Sequence, residues 1–322
     1  MIYQKTINQK VCIEGVGVHT GQKSIVTLHP AEEDSGIIFQ DSKDPDKSSN
    51  NPSTCPSGVL RANGDKKIKI GEILQKDSSF STIIQKDNFV VSTIEHLMAS
   101  ISGLGIDNLI IEVSGNEIPI MDGSAFPFAQ SILDAGIKSQ TQPKKFLTPK
   151  EIIIFQEEDK AIEIRPISLS TPKGHVEEFQ IGQNITHFSY SIDFPHPLVR
   201  NKKLEIELNE ENFVKEIAPA RTFGFLKQLP MLRTHGLARG TNLGNTVVVG
   251  EYDYLNTLRF PDEFVRHKLL DLIGDLSLLG HQISGKITAH KTGHSFNRKV
   301  VEHYLNNPDK WKLTKIARQQ PD

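Results

Sequence analysis

The segment DEFVRHKLLDLIGDLSLLG, residues 262–280, constrains this chain more than any other. On a helical wheel its His267, Asp271 and Asp275 fall at about 0°, 40° and 80°, while Leu269, Leu270, Leu272, Ile273, Leu276 and Leu279 cover most of the remaining circumference. A helix that is apolar nearly all round is a buried helix. One imidazole and two carboxylates on such a helix are costly unless each is paired, hydrogen-bonded or bound to a metal. The His-x3-Asp spacing sets two side chains over one point, as two ligands of a single metal require.

The chain around this helix has 322 residues, which suggests about two domains with cores large enough to need no staples. A charged content of 24% and a net charge of -2 give no global field to attract nucleic acid. Cys12 and Cys55 are too few for a disulfide framework or a thiolate zinc cage, so a metal here must be held by histidine and carboxylate. The N-terminus MIYQKTINQKV lacks the apolar centre of a signal peptide, and no apolar run approaches the ~18 residues of a membrane span. These features place the chain in the cytoplasm.

Residues 1–40 alternate apolar and polar positions with glycine-rich punctuation and read as strands. His19, in EGVGVHTG, is either a turn residue or a site residue. Residues 41–65 shift to Ser, Asn, Asp, Pro and Gly, the composition of an irregular loop. Short strands in KIKIGEIL and FSTIIQ lead to STIEHLMASISGLGIDNLIIEV, where Ser92 to Glu95 fit a capping box opening a helix through about Ser102. NLIIEV then reads as a buried strand, and a second helix covers about 127–135. The polar segment 139–145 separates two patterned regions, giving an N-terminal domain of residues 1–138 and a C-terminal domain of 146–305. The second half restarts with strands in EIIIFQ, AIEIRPI, THFSYSIDF and KKLEIEL, with 174–183 as a surface excursion. An insert of a short helix and a strand spans about 222–255, and 306–322 is a polar tail expected to fray.

A weak internal echo supports two related halves. With Asp271 laid on His96, Leu97 meets Leu272, Ser102 meets Ser277, Leu104 meets Leu279 and Gly105 meets Gly280. His96 and Asp271 would then be equivalent points on two facing helices, and one metal could take ligands from both. Taken alone, Glu95 fits a helix cap and His96 a core histidine. Together with His267 and Asp271 they supply three metal ligands and an adjacent carboxylate able to take a proton from water. His294, in KTGHSFN, is either the first residue of the last helix or an acid oriented by Asp275. Lys268 either contacts a phosphate or runs its stem out to solvent. Two histidines and one carboxylate also describe non-haem iron oxygenases, but the helical spacing favours hydrolysis.

The segments GVGVHTG, STIEHLMASISGLGIDNLIIEV, EIPIMDGSAFPF, ARTFGF, DEFVRHKLLDLIGDLSLLG and KTGHSFN, in that order, resemble the zinc-dependent UDP-3-O-acyl-N-acetylglucosamine deacetylases of lipid A biosynthesis, over about residues 2–305. The resemblance implies an α+β fold of two pseudo-repeated domains, each a sheet with helices, the helices packed between the two sheets. It implies Zn²⁺, with Fe²⁺ as the other ion the site would take, on His96, His267 and Asp271. Glu95 would be the general base and His294 the general acid oriented by Asp275. Thr222 would donate to the oxyanion, Phe194 stack on uracil, and Lys268 and Phe223 contact substrate. Leu226, Leu229 and Leu237 would line an apolar passage for the acyl chain. The implied partner is the UDP-sugar substrate, without nucleic acid, membrane span or obligate protein partner.

Overall fold

The computed structural model describes residues 1–42, 66–166 and 185–316. Most of the Ser- and Asn-rich segment 41–65, the excursion 174–183 and residues 317–322 lie outside the described residues.

Two five-stranded sheets carry the fold. The first is built from β1 (Val11–Val16), β2 (Lys23–Pro30), β3 (Ile37–Asp41), β4 (Lys67–Lys69) and β5 (Leu109–Ser114). The second is built from β6 (Ile153–Glu157), β7 (Lys160–Arg165), β8 (Thr186–Ile192), β9 (Lys202–Glu207) and β10 (Gly285–His290). In β5 the even alternation of the sequence becomes a one-faced strand: Leu109, Ile111 and Val113 are wholly buried, while Ile110, Glu112 and Ser114 are half-buried.

The order of the first sheet is β1-β2-β5-β3-β4, and that of the second is β6-β7-β10-β8-β9. In each, the middle strand pairs antiparallel with one neighbour and parallel with the other, and the outer pairs are antiparallel. A helix enters each middle strand, α1 (Glu95–Gly103) before β5 and α3 (Glu263–Leu276) before β10. A second helix follows each, α2 (Phe126–Asp134) and α4 (His294–Asn306). The chain thus folds as two related halves of α+β type. The sequence echo falls where this symmetry puts it, since Gly105 and Gly280 both hold the left-handed conformation that ends the two helical segments, at φ of 70° and 77°.

α1 and α3 pack against each other between the sheets, and their apolar side chains join one continuous core with both. Eight of the nine residues of α1 and twelve of the fourteen of α3 are buried. The helices approach closely because position 274 has no side chain: a Cβ there would lie 2.2 Å from the carbonyl oxygen of Glu95.

Within the stretch that divides the two patterned regions, Ile137–Pro143 is a strand that returns to pair with Tyr3–Ile7. Two local expectations are corrected. The tail is ordered as far as Lys315, since Trp311–Lys315 pairs with Lys145–Pro149 and Trp311 is buried against the rings of His303 and Tyr304. The capping box does not form. Ser92 donates its hydroxyl to the carbonyl of Asn116 instead, Thr93 holds a φ of 58°, and the Glu95 carboxylate accepts from the backbone of Thr82.

Residues 223–249 form a parallel strand pair, Phe223–Phe225 with Val247–Val249, bridged by the short helix Leu229–Thr234. In the first half, a hairpin of Ile83–Lys86 and Phe89–Ser92 leads into α1.

Candidate metal centre and active site

The buried stripe of α3 faces the first turn of α1. His96, His267 and Asp271 each bring one donor atom within 4.8 Å of the other two. His267 Nε2 lies 3.4 Å from Asp271 Oδ1, and His96 Nε2 lies 3.8 Å from the same oxygen. The two imidazole rings meet edge to face, with centroids 5.0 Å apart. All three side chains are nearly inaccessible to water.

The protonation of this cluster follows from its surroundings. The carbonyl of Ala220 can only accept, so His267 Nδ1 carries a proton at 3.0 Å from it and Nε2 presents a lone pair. Burial holds His267 below its ordinary pKa; it also takes His96 down to about 3, helped by the neighbouring His267. Burial opposes ionisation of Asp271, but Lys268, whose ammonium lies 2.8 Å from Oδ2, and the surrounding imidazoles hold its carboxyl well below the usual range. Two neutral imidazoles and an ionised carboxylate are the forms in which these residues bind metal, so the donor set fits a divalent cation without loss of protons. His96 Nδ1 is buried and has no partner among the described residues.

Asp275, one turn beyond Asp271, points to a different neighbour. It accepts from His294 Nδ1 at 2.9 Å, from Asn297 Nδ2 at 2.7 Å and from the hydroxyl of Thr82. Burial disfavours a charged His294, yet Asp275, joined by Asp271 and Glu95, outweighs it and lifts the imidazole to about 9. His294 is the first residue of α4, following Gly293. Both readings of it therefore apply: it opens a helix, and it is ion-paired in the site. Its Nε2 lies 3.9 Å from Asp271 Oδ2, which ties the acid pair to the metal cluster.

Glu95 is buried, and burial pushes its carboxyl up to about 7, with His294 opposing the rise and Asp271 and Asp275 adding to it. A carboxyl with that affinity exchanges protons near neutral pH. The Thr82 backbone N–H donates to it at 2.9 Å. Thr82 thus holds Glu95 through its main chain and Asp275 through its hydroxyl. Sequence reading missed Thr82, Asn297 and the Ala220 carbonyl. A threonine inside a strand-like run, an asparagine in an amphipathic helix and a backbone oxygen carry no distinguishing pattern.

Glu95 and His96 open onto a cavity that also takes in Thr222, Phe223, Leu226, Leu229 and Leu237. The backbone of Thr222 is fixed from two sides, its N–H donating to Gly123 and its carbonyl accepting from Val247. Phe194 is outside the cavity lining; its ring packs edge-on against Phe223 at 5.6 Å. Lys268 is committed to Asp271, which raises its pKa against the opposing effect of burial. His19 lines the same cavity.

A donor set able to hold a divalent cation, flanked by a carboxyl titrating near neutrality and by a protonated imidazole, is the equipment of a hydrolase. Comparison with known proteins agrees. The family model described as UDP-3-O-acyl N-acetylglycosamine deacetylase matches residues 4–306. A UDP-3-O-acyl-N-acetylglucosamine deacetylase of Syntrophotalea carbinolica is 40% identical over 317 residues, covering 97% of this chain and 91% of the relative. Proteins of the same name from Teredinibacter turnerae and Cellvibrio japonicus are each 39% identical, over 99% and 100% of this chain and 96% of each relative. The chain belongs to the UDP-3-O-acyl N-acetylglycosamine deacetylase family.

Proposed function

We propose that this chain removes the N-acetyl group of UDP-3-O-acyl-N-acetylglucosamine, giving acetate and UDP-3-O-acyl-glucosamine, as the committed step of lipid A biosynthesis in the cytoplasm. The observation that carries the reading is the meeting of Glu95, His96 and Thr222 with Leu226, Leu229 and Leu237 in one cavity, beside His267 and Asp271. A hydrolytic centre continuous with an apolar passage suits an amide whose sugar also bears an acyl chain. None of the helices among the described residues is long and apolar enough to cross a membrane.

The resident ion is proposed to be zinc on His96, His267 and Asp271; Fe²⁺ would take the same ligands. When bound, it supplies Lewis acidity toward the amide carbonyl and the attacking water. Glu95 takes the proton from that water as its oxygen adds to the acetyl carbon. The Thr222 hydroxyl donates to the oxygen on which negative charge develops. His294, kept protonated by Asp275, gives its proton to the nitrogen as the C–N bond breaks, so the sugar leaves as an amine. Asp275, Thr82 and Asn297 hold that imidazole in place. Lys268 contacts the polar part of the substrate, Phe223 contacts it from the cavity wall, and Phe194 stacks on uracil.

Incubation of the metal-replete protein with UDP-3-O-acyl-N-acetylglucosamine tests the reading directly. Stoichiometric acetate, with about one metal per chain, is the expected result. Full metal content without acetate release would overturn it.

A further inference from the structure

Most of the insert differs in charge from the rest of the chain. Residues 222–250 contain Lys227, Arg233 and Arg239 and neither Asp nor Glu, in a chain whose overall charge is -2, and the acidic Glu251 and Asp253 follow only at its end. All three cations are exposed, and none has an ion pair among the described residues. The same stretch exposes large apolar side chains: Leu226 is 44% accessible, Met231 47% and Leu243 52%.

The short helix Leu229–Thr234 sorts these groups by face. Leu229 and Leu232 line the cavity, so the helix covers that cavity from outside. At 100° per residue, Met231 lies about 130° from the mean direction of Leu229 and Leu232 and so faces outward, while Arg233 lies about 70° from that direction on the other flank. Leu226, just ahead of the helix, both lines the cavity and is exposed, so the cavity's apolar wall runs out onto this surface. Exposed apolar side chains interspersed with unpaired cations match an interfacial lipid layer of negative charge, where apolar groups enter the acyl boundary and cations meet headgroups.

We propose that the outer face of this insert docks on an anionic lipid surface, bringing the mouth of the cavity against the membrane. The charge argues for lipid over a neutral apolar partner, because a purely apolar contact gives no use for three unpaired cations around it. The proposal goes beyond the deacetylase reading and does not depend on it.

The test is flotation of the full chain, in its metal-replete form, with vesicles of phosphatidylcholine alone and of phosphatidylcholine mixed with phosphatidylglycerol. Binding to the anionic vesicles only, weakening as salt rises, is expected. Each charge removed near the surface should lower partitioning about fivefold, so the triple variant Lys227→Gln, Arg233→Gln, Arg239→Gln should bind about a hundredfold more weakly. The double variant Met231→Ser, Leu243→Ser should also bind more weakly while keeping all three charges. Unchanged thermal unfolding and an unchanged circular dichroism spectrum confirm that the variants are folded. Binding to neither vesicle, equal binding to both, or binding untouched by the charge variant would each overturn the proposal. Because flotation reads no turnover, loss of the deacetylase reading leaves this result standing, and the reverse also holds.

Discussion

Gly274→Ala puts two physical arguments in direct opposition. Within a helix, alanine is favoured over glycine by about 0.8–1 kcal/mol, so the sequence of α3 alone predicts a more stable protein. In the folded chain the new Cβ would meet three backbone atoms of Glu95, its O, C and Cα, at 2.2, 2.9 and 3.0 Å. Side-chain carbons do not approach within 3.0 Å, so α1 and α3 must separate by at least about 0.8 Å. Both helices are buried, and the clashing atoms are main chain with no rotamer to change, so the strain belongs at the upper end of overpacking costs, about 3 kcal/mol. Subtracting the propensity gain leaves a loss of about 2 kcal/mol, or roughly 3 °C in thermal midpoint for a chain of this length. The separation falls at the point where Glu95 and His96 face His267 and Asp271. A displacement approaching 1 Å at such a centre costs about a hundredfold in turnover. Thermal unfolding of the metal-replete variant and its rate of acetate release would read both effects. A raised midpoint with unchanged turnover would refute the close-crossing argument.

Glu95→Gln removes the proton acceptor and keeps the shape, so metal content should stay near one per chain while kcat falls about 10²- to 10⁴-fold; retained turnover would mean that Glu95 only supports the Thr82 backbone. Asp275→Asn removes the charge that lifts His294 to about 9, so the high-pH limb of the rate profile should move to lower pH, and an unmoved limb would break the pairing. The same pair has a stability signature in metal-free protein. A raised imidazole pKa stabilises the fold fully below the ordinary 6.5, and that contribution is lost as pH rises through about 9, so the wild type should lose more stability across this window than Asp275→Asn. Chelation should lower the thermal midpoint reversibly, since an ion at a thousand times its dissociation constant contributes roughly 4 kcal/mol; zinc added back should restore it, and indifference to chelator would argue against a cation at His96, His267 and Asp271.

Much of the site was legible because helices have a fixed period. His267, Asp271 and Asp275 fall on one stripe of a helix with no solvent-facing side, and each was expected to have a partner. The structure gives them partners, Asp271 beside His96 and Lys268, and Asp275 beside His294. Glu95 was harder, because its local pattern matched a helix cap. Only the hairpin before α1 decides otherwise, by placing the Thr82 N–H against the carboxylate and leaving Ser92 to bond elsewhere.

By itself, the sequence determined what is periodic or local: the strands of both halves, the buried helix and its ionisable stripe, the glycine stops, and the insert within 222–255. Its internal echo also pointed to two related halves, and the matching strand orders of the two sheets give that echo its physical meaning. Tertiary structure alone decided what depends on contacts between distant segments. The polar residues up to Pro143 became a strand because Tyr3–Ile7 offers them an edge, and Trp311 tied down a tail that composition marked as loose. Gly274 reads as a helix weakness along the chain and as a crossing point in space. The pKa values of Glu95 and His294 were set by packing too, that of Glu95 by burial and charges brought in from the other half, and that of His294 by burial and by Asp275 on the neighbouring helix. Local pattern fixes which side chains share a face; only packing fixes what that face meets.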